Sequence, residues 1–295
     1  MAMRLETGQI NRLGDRDQNQ DRYLLLEDDS GLLLSVADGM GGHARGDLAA
    51  QAFIDVLSRR FRNRNGLELP EQFLGDCFRE AHRSIVAVGR AQKPAVQPLT
   101  TGVACLIQGA TAHWAHVGDS RLYLLRDGRV LTRTRDHTHV ADLIESGLIT
   151  EERARMHPLR NQVSRCLGGG SRPPLVSVGP CVYLQEGDVV LLCSDGLWSA
   201  LPDSRFLSLL DANDVAVELD ALSREAECIC YPKSDNITAV AIRWQGEIPD
   251  VAGPRRCKLS HSEPPSADDP VARAIAEIEE ALQEYQGEMA EGDGQ

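Results

Sequence analysis

No stretch of this 295-residue chain approaches the roughly 20 consecutive apolar residues that cross a bilayer. The opening Met1-Ala2-Met3-Arg4-Leu5-Glu6-Thr7 has no apolar segment of the kind a secretion signal carries. Runs of Lys and Arg are missing too. Lys plus Arg number 31 against 44 Asp plus Glu, a formal net charge of −13 that repels a nucleic-acid backbone. Neither nucleic acid nor membrane is an expected partner. A cysteine framework is also lacking. The eight cysteines (77, 105, 166, 181, 193, 228, 230 and 257) are scattered, several inside apolar runs, and read as reduced, mostly buried thiols. Cys228-Ile229-Cys230 is too isolated for a zinc site. A cytoplasmic location is expected.

What is present is ordinary globular composition, 42% hydrophobic and 25% charged, enough for one large domain or two small ones. Leu32 to Ala37 reads as a buried strand bounded by Gly31 and by Gly39, Gly41 and Gly42. Asp28-Asp29-Ser30-Gly31 turns back to a strand at Tyr23–Leu26, and this hairpin would bring Asp21 to face Asp38. Amphipathic spacing predicts helices over about 44–62 and 70–90. Strands follow at 101–108, 111–117, 122–125 and 130–132, then a short helix at 138–147. Residues 147–176 read as an irregular, arginine-bearing loop. Beyond it come a strand at 188–193, helices at 203–210 and 213–227, and a last strand at 237–244.

Residues 1–245 thus form one expected domain and 246–268 a Pro-rich linker. Residues 269–295 are expected to be an amphipathic helix with an acidic tail, opened by Asp269-Pro270 and striped by Val271, Ile275, Ile278, Leu282 and Tyr285. A helix this short is marginal alone, which favours docking on its own domain over docking on a partner.

One pattern recurs. Asp38, Asp119, Asp195 and Asp235 each stand at the terminus of an apolar strand and precede a small or polar residue. In isolation each is a common turn aspartate. If the strands share two packed sheets, the four converge, and clustered carboxylates stay ionised only when cations neutralise them. All-oxygen donors suit Mg2+ or Mn2+. Two such ions roughly 3.5–4 Å apart acidify a bridging water and aim it at phosphorus.

The ordered set Arg16-x-x-Asn19-Gln20-Asp21, Asp38-Gly39-Met40-Gly41-Gly42, Leu99-Thr100-Thr101, Gly118-Asp119-Ser120-Arg121, Asp136-His137-Thr138, Ser194-Asp195-Gly196-Leu197 and Ser234-Asp235-Asn236-Ile237-Thr238 resembles the PP2C-type (PPM) serine/threonine phosphatases, their bacterial branch above all. The resemblance covers roughly residues 5–244. It implies an α+β fold, a four-layer α-β-β-α sandwich of two antiparallel sheets flanked by helices. It implies hydrolysis of phosphoserine and phosphothreonine in proteins, with a Ser/Thr kinase and its targets as partners. Asp38 would bridge two Mn2+ or Mg2+ ions together with the Gly39 carbonyl. Asp195 and Asp235 would complete the second ion's shell, Asp21 would act through water, and Asp119 would hold a looser third ion. Arg16 would grip phosphate as a planar fork.

Two residues depart from the pattern. Gln20 stands where many members carry Glu, and Met40 where animal enzymes carry a proton-donating His. His43, His137 and His139 are alternative donors or structural residues, and metal-bound water is an equal source of the proton. Two rival readings stand beside this one. Cys166 to Arg172 fits the C-x5-R pattern of cysteine phosphatases, but Pro173-Pro174 continues as extended chain where that mechanism needs a helix N-terminus. The other rival is a catalytically weak scaffold of the same shape that binds phosphoproteins.

Overall fold

The computed structural model describes residues 4–246 apart from 29, 41–44, 65–67, 151–152, 154–156 and 160–161. One antiparallel sheet has the order β1 (Leu5–Arg12), β14 (Ile237–Trp244), β13 (Val189–Cys193), β8 (Arg121–Arg126), β9 (Arg129–Arg133). The other runs β11 (Ser177–Val178), β7 (Thr111–Val117), β6 (Gly102–Gln108), β3 (Gly31–Ala37), β2 (Arg22–Asp28), with β12 (Val182–Tyr183) also paired to β7. A small ladder joins β4 (Gly39–Met40), β5 (Leu99–Thr100) and β10 (Leu167–Gly168).

Side chains alternate across each strand, so one strand feeds two cores. Leu32, Leu34 and Val36 enter the space between the sheets and meet Val103, Ile107, Leu124, Leu192 and Val240. Leu33 and Ala37 point the other way, onto α1 (Gly46–Arg62) and α2 (Pro70–Ala91) through Phe53, Leu57, Phe73 and Phe78. On the far side Tyr123, Leu191 and Ala239 pack on Phe206, Leu219 and Leu222, the last two from α6 (Val215–Cys230). Helix, sheet, sheet, helix: these are the expected four layers. Burial on both faces explains why the central strands read as continuous apolar runs although the sheets are antiparallel.

Registers put the strand ends together. Arg22 pairs with Ala37, Arg12 with Ile237, Cys193 with Ala239, and Arg121 with Cys193. Asp21, Asp38, Asp119, Asp195 and Asp235 therefore leave their strands at one end of the sandwich.

Several expectations need adjustment. Asp195 opens a helical turn, α4 (Asp195–Trp198), where only a strand stop was expected. The helix expected at 203–210 is a 3-10 turn (Asp203–Leu207) running into the short α5 (Ser208–Asp211). The helix over 138–147 is α3 (His139–Glu145), capped by Thr138 Oγ1 accepting from the Ala141 N–H at 3.2 Å. The loop expected at 147–176 contains β10 and a bridge between Thr138 and Val163. Cys181 is disulfide-bonded, an exception to the reduced-thiol expectation. Most of the expected Pro-rich linker and all of the C-terminal helix lie outside the described residues. Among the described residues no helix is long and apolar enough to cross a membrane.

Candidate functional site

Asp38 ends β3 with its backbone fully engaged. Its N–H donates to Thr101 Oγ1 (3.1 Å), and its carbonyl accepts from the Thr101 N–H and the Thr100 hydroxyl, both at 2.8 Å. Thr101 Oγ1 is also hydrogen-bonded to Ser120 Oγ at 2.6 Å, beside Asp119. One hydroxyl pair thus links the Asp38 backbone to the residue that follows Asp119.

Asp21 is only 1% exposed. Its Oδ2 accepts the Ser194 hydroxyl at 2.7 Å, while Ser194 Oγ accepts the Thr238 N–H at 3.0 Å. One serine therefore joins Asp21 to the strand that follows Asp235 and to its own neighbour, Asp195. Asp235 accepts from Arg16 Nη2 at 2.7 Å and from the Asn236 N–H at 2.8 Å. Asn236 accepts the Gln20 N–H and donates to the Leu13 carbonyl, each at 2.8 Å. Asp15 accepts both the N–H and the hydroxyl of Ser234 at 2.9 Å. These contacts staple the loop that carries Arg16 onto the turn that carries Asp235.

Gly39 has no room for a side chain. A Cβ there would lie 2.3 Å from the Gly46 carbonyl oxygen and 2.6 Å from that of Gln20. Backbone meets backbone here, at a residue that lines the site.

The result is a cavity of about 490 Å3. Arg16, Gly39, Asp38, Asp119, Asp195 and Asp235 line it, and Asp21, outside the lining, lies close enough to Asp38 to act on its carboxyl. All the residues expected at the site are gathered in one place. Asp17, Gln18, Gln20 and Asn236 add polar lining, while Met40 and Val163 add an apolar wall.

Burial and mutual repulsion push the carboxyls of Asp21, Asp38, Asp119 and Asp195 up. Asp21 rises to about 8, first through burial and then through Asp195 and Asp235, against the Ser194 hydrogen bond. Asp195 rises to about 6 through burial and Asp235. Asp38 is held well above the ordinary range by burial and by Asp21, Asp195, Asp119 and Asp235, and Asp119 by burial, Asp195 and Asp136. Such a set holds its charge comfortably only around cations. The donors are all oxygen, with no His or Cys among the described lining residues, and so fit Mg2+ or Mn2+.

The alternative residues are placed elsewhere. His137 accepts the Gly118 N–H at Nδ1 (3.1 Å) and meets Ser177 Oγ through Nε2 (2.8 Å). It stacks on His116 at 4.5 Å, and burial pushes its pKa down to about 3, so it is a neutral structural imidazole. His139 opens α3, exposed and away from the cavity lining. His43 lies outside the described residues. Cys166 is half-buried and burial raises its thiol pKa, the opposite of what a nucleophilic cysteine needs.

Thr101, Ser120, Ser194 and Asn236 stand in the sequence motifs, yet the sequence assigns them no role. Their only signal is adjacency to a strand-end aspartate or its partner strand.

A family model described as Protein phosphatase 2C matches residues 11–221. The serine/threonine protein phosphatase PstP of Mycobacterium tuberculosis is 37% identical over 209 residues, 70% of this chain and 39% of PstP. The chain thus spans well under half the length of that relative. The serine/threonine phosphatase stp of Listeria monocytogenes is 32% identical over 232 residues, 77% of this chain and 90% of stp. Among solved structures, the catalytic domain of PstP in complex with two manganese ions superposes with a TM-score of 0.70 at 32% identity, covering 83% of this chain and all of that one. Stp1 of Staphylococcus aureus gives a TM-score of 0.75 at 26% identity, covering 83% and 96%. The residues matched by the family model carry one whole sheet, most strands of the other and most of the carboxylate pocket, and the chain belongs to the protein phosphatase 2C family.

Proposed function

We propose that this chain is a metal-dependent protein serine/threonine phosphatase acting on phosphoserine and phosphothreonine. The observation that carries the reading is the convergence of Asp21, Asp38, Asp119, Asp195 and Asp235 on one cavity with Arg16 at its edge. The manganese-bound structure of PstP supports the choice of metal. Asp38, the Gly39 carbonyl, Asp195 and Asp235 would hold two Mn2+ or Mg2+ ions, with Asp21 reaching them through water and Asp119 holding a looser third. When bound, the ions supply Lewis acidity toward phosphoryl oxygens and an acidified water as nucleophile.

The chain's own residues set the geometry. The Arg16 side chain is 57% exposed and ion-paired to Asp235, and with that carboxylate neutralised its fork would be available to grip two phosphoryl oxygens. Thr100 and Thr101 keep the Asp38 backbone fixed, so that its carboxylate does not drift. Met40 offers no proton where the cavity wall is apolar, so the departing serine or threonine oxygen takes its proton from cavity water. A Ser/Thr kinase and its targets, met in the cytoplasm, are the partners this activity would have, by family analogy.

With millimolar Mn2+, purified protein should hydrolyse p-nitrophenyl phosphate and phosphothreonine peptides. EDTA should abolish both activities and iodoacetamide should spare them. Inertness toward both substrates in excess Mn2+ would favour a phosphoprotein-binding scaffold, and loss of activity to iodoacetamide alone would revive the cysteine mechanism.

A further inference from the structure

Resting on the metal-dependent reading above, we infer that Arg121 is a positioning residue: it ties the Asp119 turn to the Asp195 helix and so sets how tightly the site holds metal. Arg121 follows Asp119 by two residues and begins β8. Its Nε and Nη2 donate to the two oxygens of Asp136 at 2.8 and 2.7 Å, and Nη1 donates to the Tyr123 hydroxyl at 2.9 Å. The face of the guanidinium lies over Trp198, its central carbon 3.5 Å from the ring centroid. Trp198 is the last residue of α4, one turn on from Asp195, the first.

A single planar group thus holds three segments: the β7–β8 turn with Asp119, the segment after β9 with Asp136, and the helical turn with Asp195. The Arg121 side chain is only 10% exposed, so the clamp is fixed by packing. The Trp198 indole N–H is buried without a hydrogen-bond partner among the described residues. That ring is therefore held for its face, which is what the guanidinium uses. Asp119 and Asp195 line the same cavity, so a change in their spacing is felt by any cation held between them. A lysine would keep the charge but lose both the fork and the flat stack.

Arg126 supplies the matched control. It closes the other end of β8 with the same fork, onto Asp188 at 2.7 and 2.5 Å, far from the cavity. The test is a Mn2+ titration of the full chain, without substrate, by calorimetry and by the electron paramagnetic resonance signal of free Mn2+. Thermal denaturation in EDTA runs beside it. Arg121→Lys and Trp198→Leu should each weaken Mn2+ binding roughly tenfold. The double variant should be no weaker than Arg121→Lys, because that substitution already removes the stack on Trp198. Arg126→Lys should lower the melting temperature yet bind Mn2+ as wild type does. Wild-type isotherms for Arg121→Lys and Trp198→Leu would overturn the inference, as would equal weakening by Arg126→Lys. If Arg121→Lys fails to fold by circular dichroism, Trp198→Leu decides alone. Absence of Mn2+ binding to the wild type would instead defeat the metal-dependent reading itself.

Discussion

At the scale of single residues, the site's aspartates are held by neighbours that sequence periodicity does not mark. Asp38, Asp119 and Asp195 are legible because an apolar run that stops at an acid is a visible pattern, and Asp235 because it stands just before one. Ser194 is not legible, since its partners are Asp21 and Thr238, 173 and 44 residues away along the chain. A lone serine at the end of an apolar strand gives no hint that it accepts from one strand and donates to another. Its removal has a defined cost. Ser194→Ala leaves the buried Thr238 N–H without its acceptor and Asp21 without its donor, and a buried group left unsatisfied costs about 1–3 kcal/mol. Urea denaturation in EDTA should show a loss of that size. An unchanged midpoint would mean that the serine is not the link between these strands.

At the scale of elements, the long strands and helices are legible and the short ones are not. β3 and β6 announce themselves by apolar runs, and α1 and α2 by stripes with three- and four-residue spacing. β4, β5 and β10 have two residues each and α4 has four, too few for any period to show. β1 is faint because it alternates as an edge strand, with Thr7 and Gln9 exposed around buried Gly8. Yet these faint elements shape the site. Gly46 begins α1 directly against Gly39: a Cβ on Gly46 would stand 2.5 Å from the Gly39 carbonyl carbon. The helix start and the Gly39 backbone are thus one packing unit. Gly46→Ala must push α1 off β4, lowering both stability and Mn2+ affinity. Gly75, within α2, offers the contrast, because its nearest neighbour is the movable end of Arg79 at 3.4 Å. Gly75→Ala should stabilise by about 0.5–1 kcal/mol through helix propensity and leave Mn2+ binding alone. Opposite signs for the two variants in thermal melts, with Mn2+ affinity lost only in the first, are the expected result. The same sign for both would refute the packing argument.

At the scale of the whole molecule, the fold assembles charges that oppose it. Two sheets align strand ends drawn from residues 21 to 235, so the carboxylates cluster only when the sandwich is complete. Without metal, Asp21 keeps its proton to about pH 8 and Asp195 to about pH 6, whereas the unfolded chain releases both near the ordinary 3.8. Between those values the folded state binds more protons than the unfolded one, so its stability falls as pH rises. The contribution of these groups is complete below about pH 4 and is lost by pH 8. Divalent cations oppose this trend, because they bind the ionised carboxylates of the native state and compete there with protons. The melting temperature of EDTA-treated protein should therefore decline from pH 5 to pH 8, and the increment given by a fixed excess of Mn2+ should grow over the same range. Differential scanning calorimetry at pH 5, 6, 7 and 8 measures both. A metal increment that stays constant with pH would mean that the clustered carboxyls are not the groups the metal displaces protons from, and would move the metal centre away from this pocket.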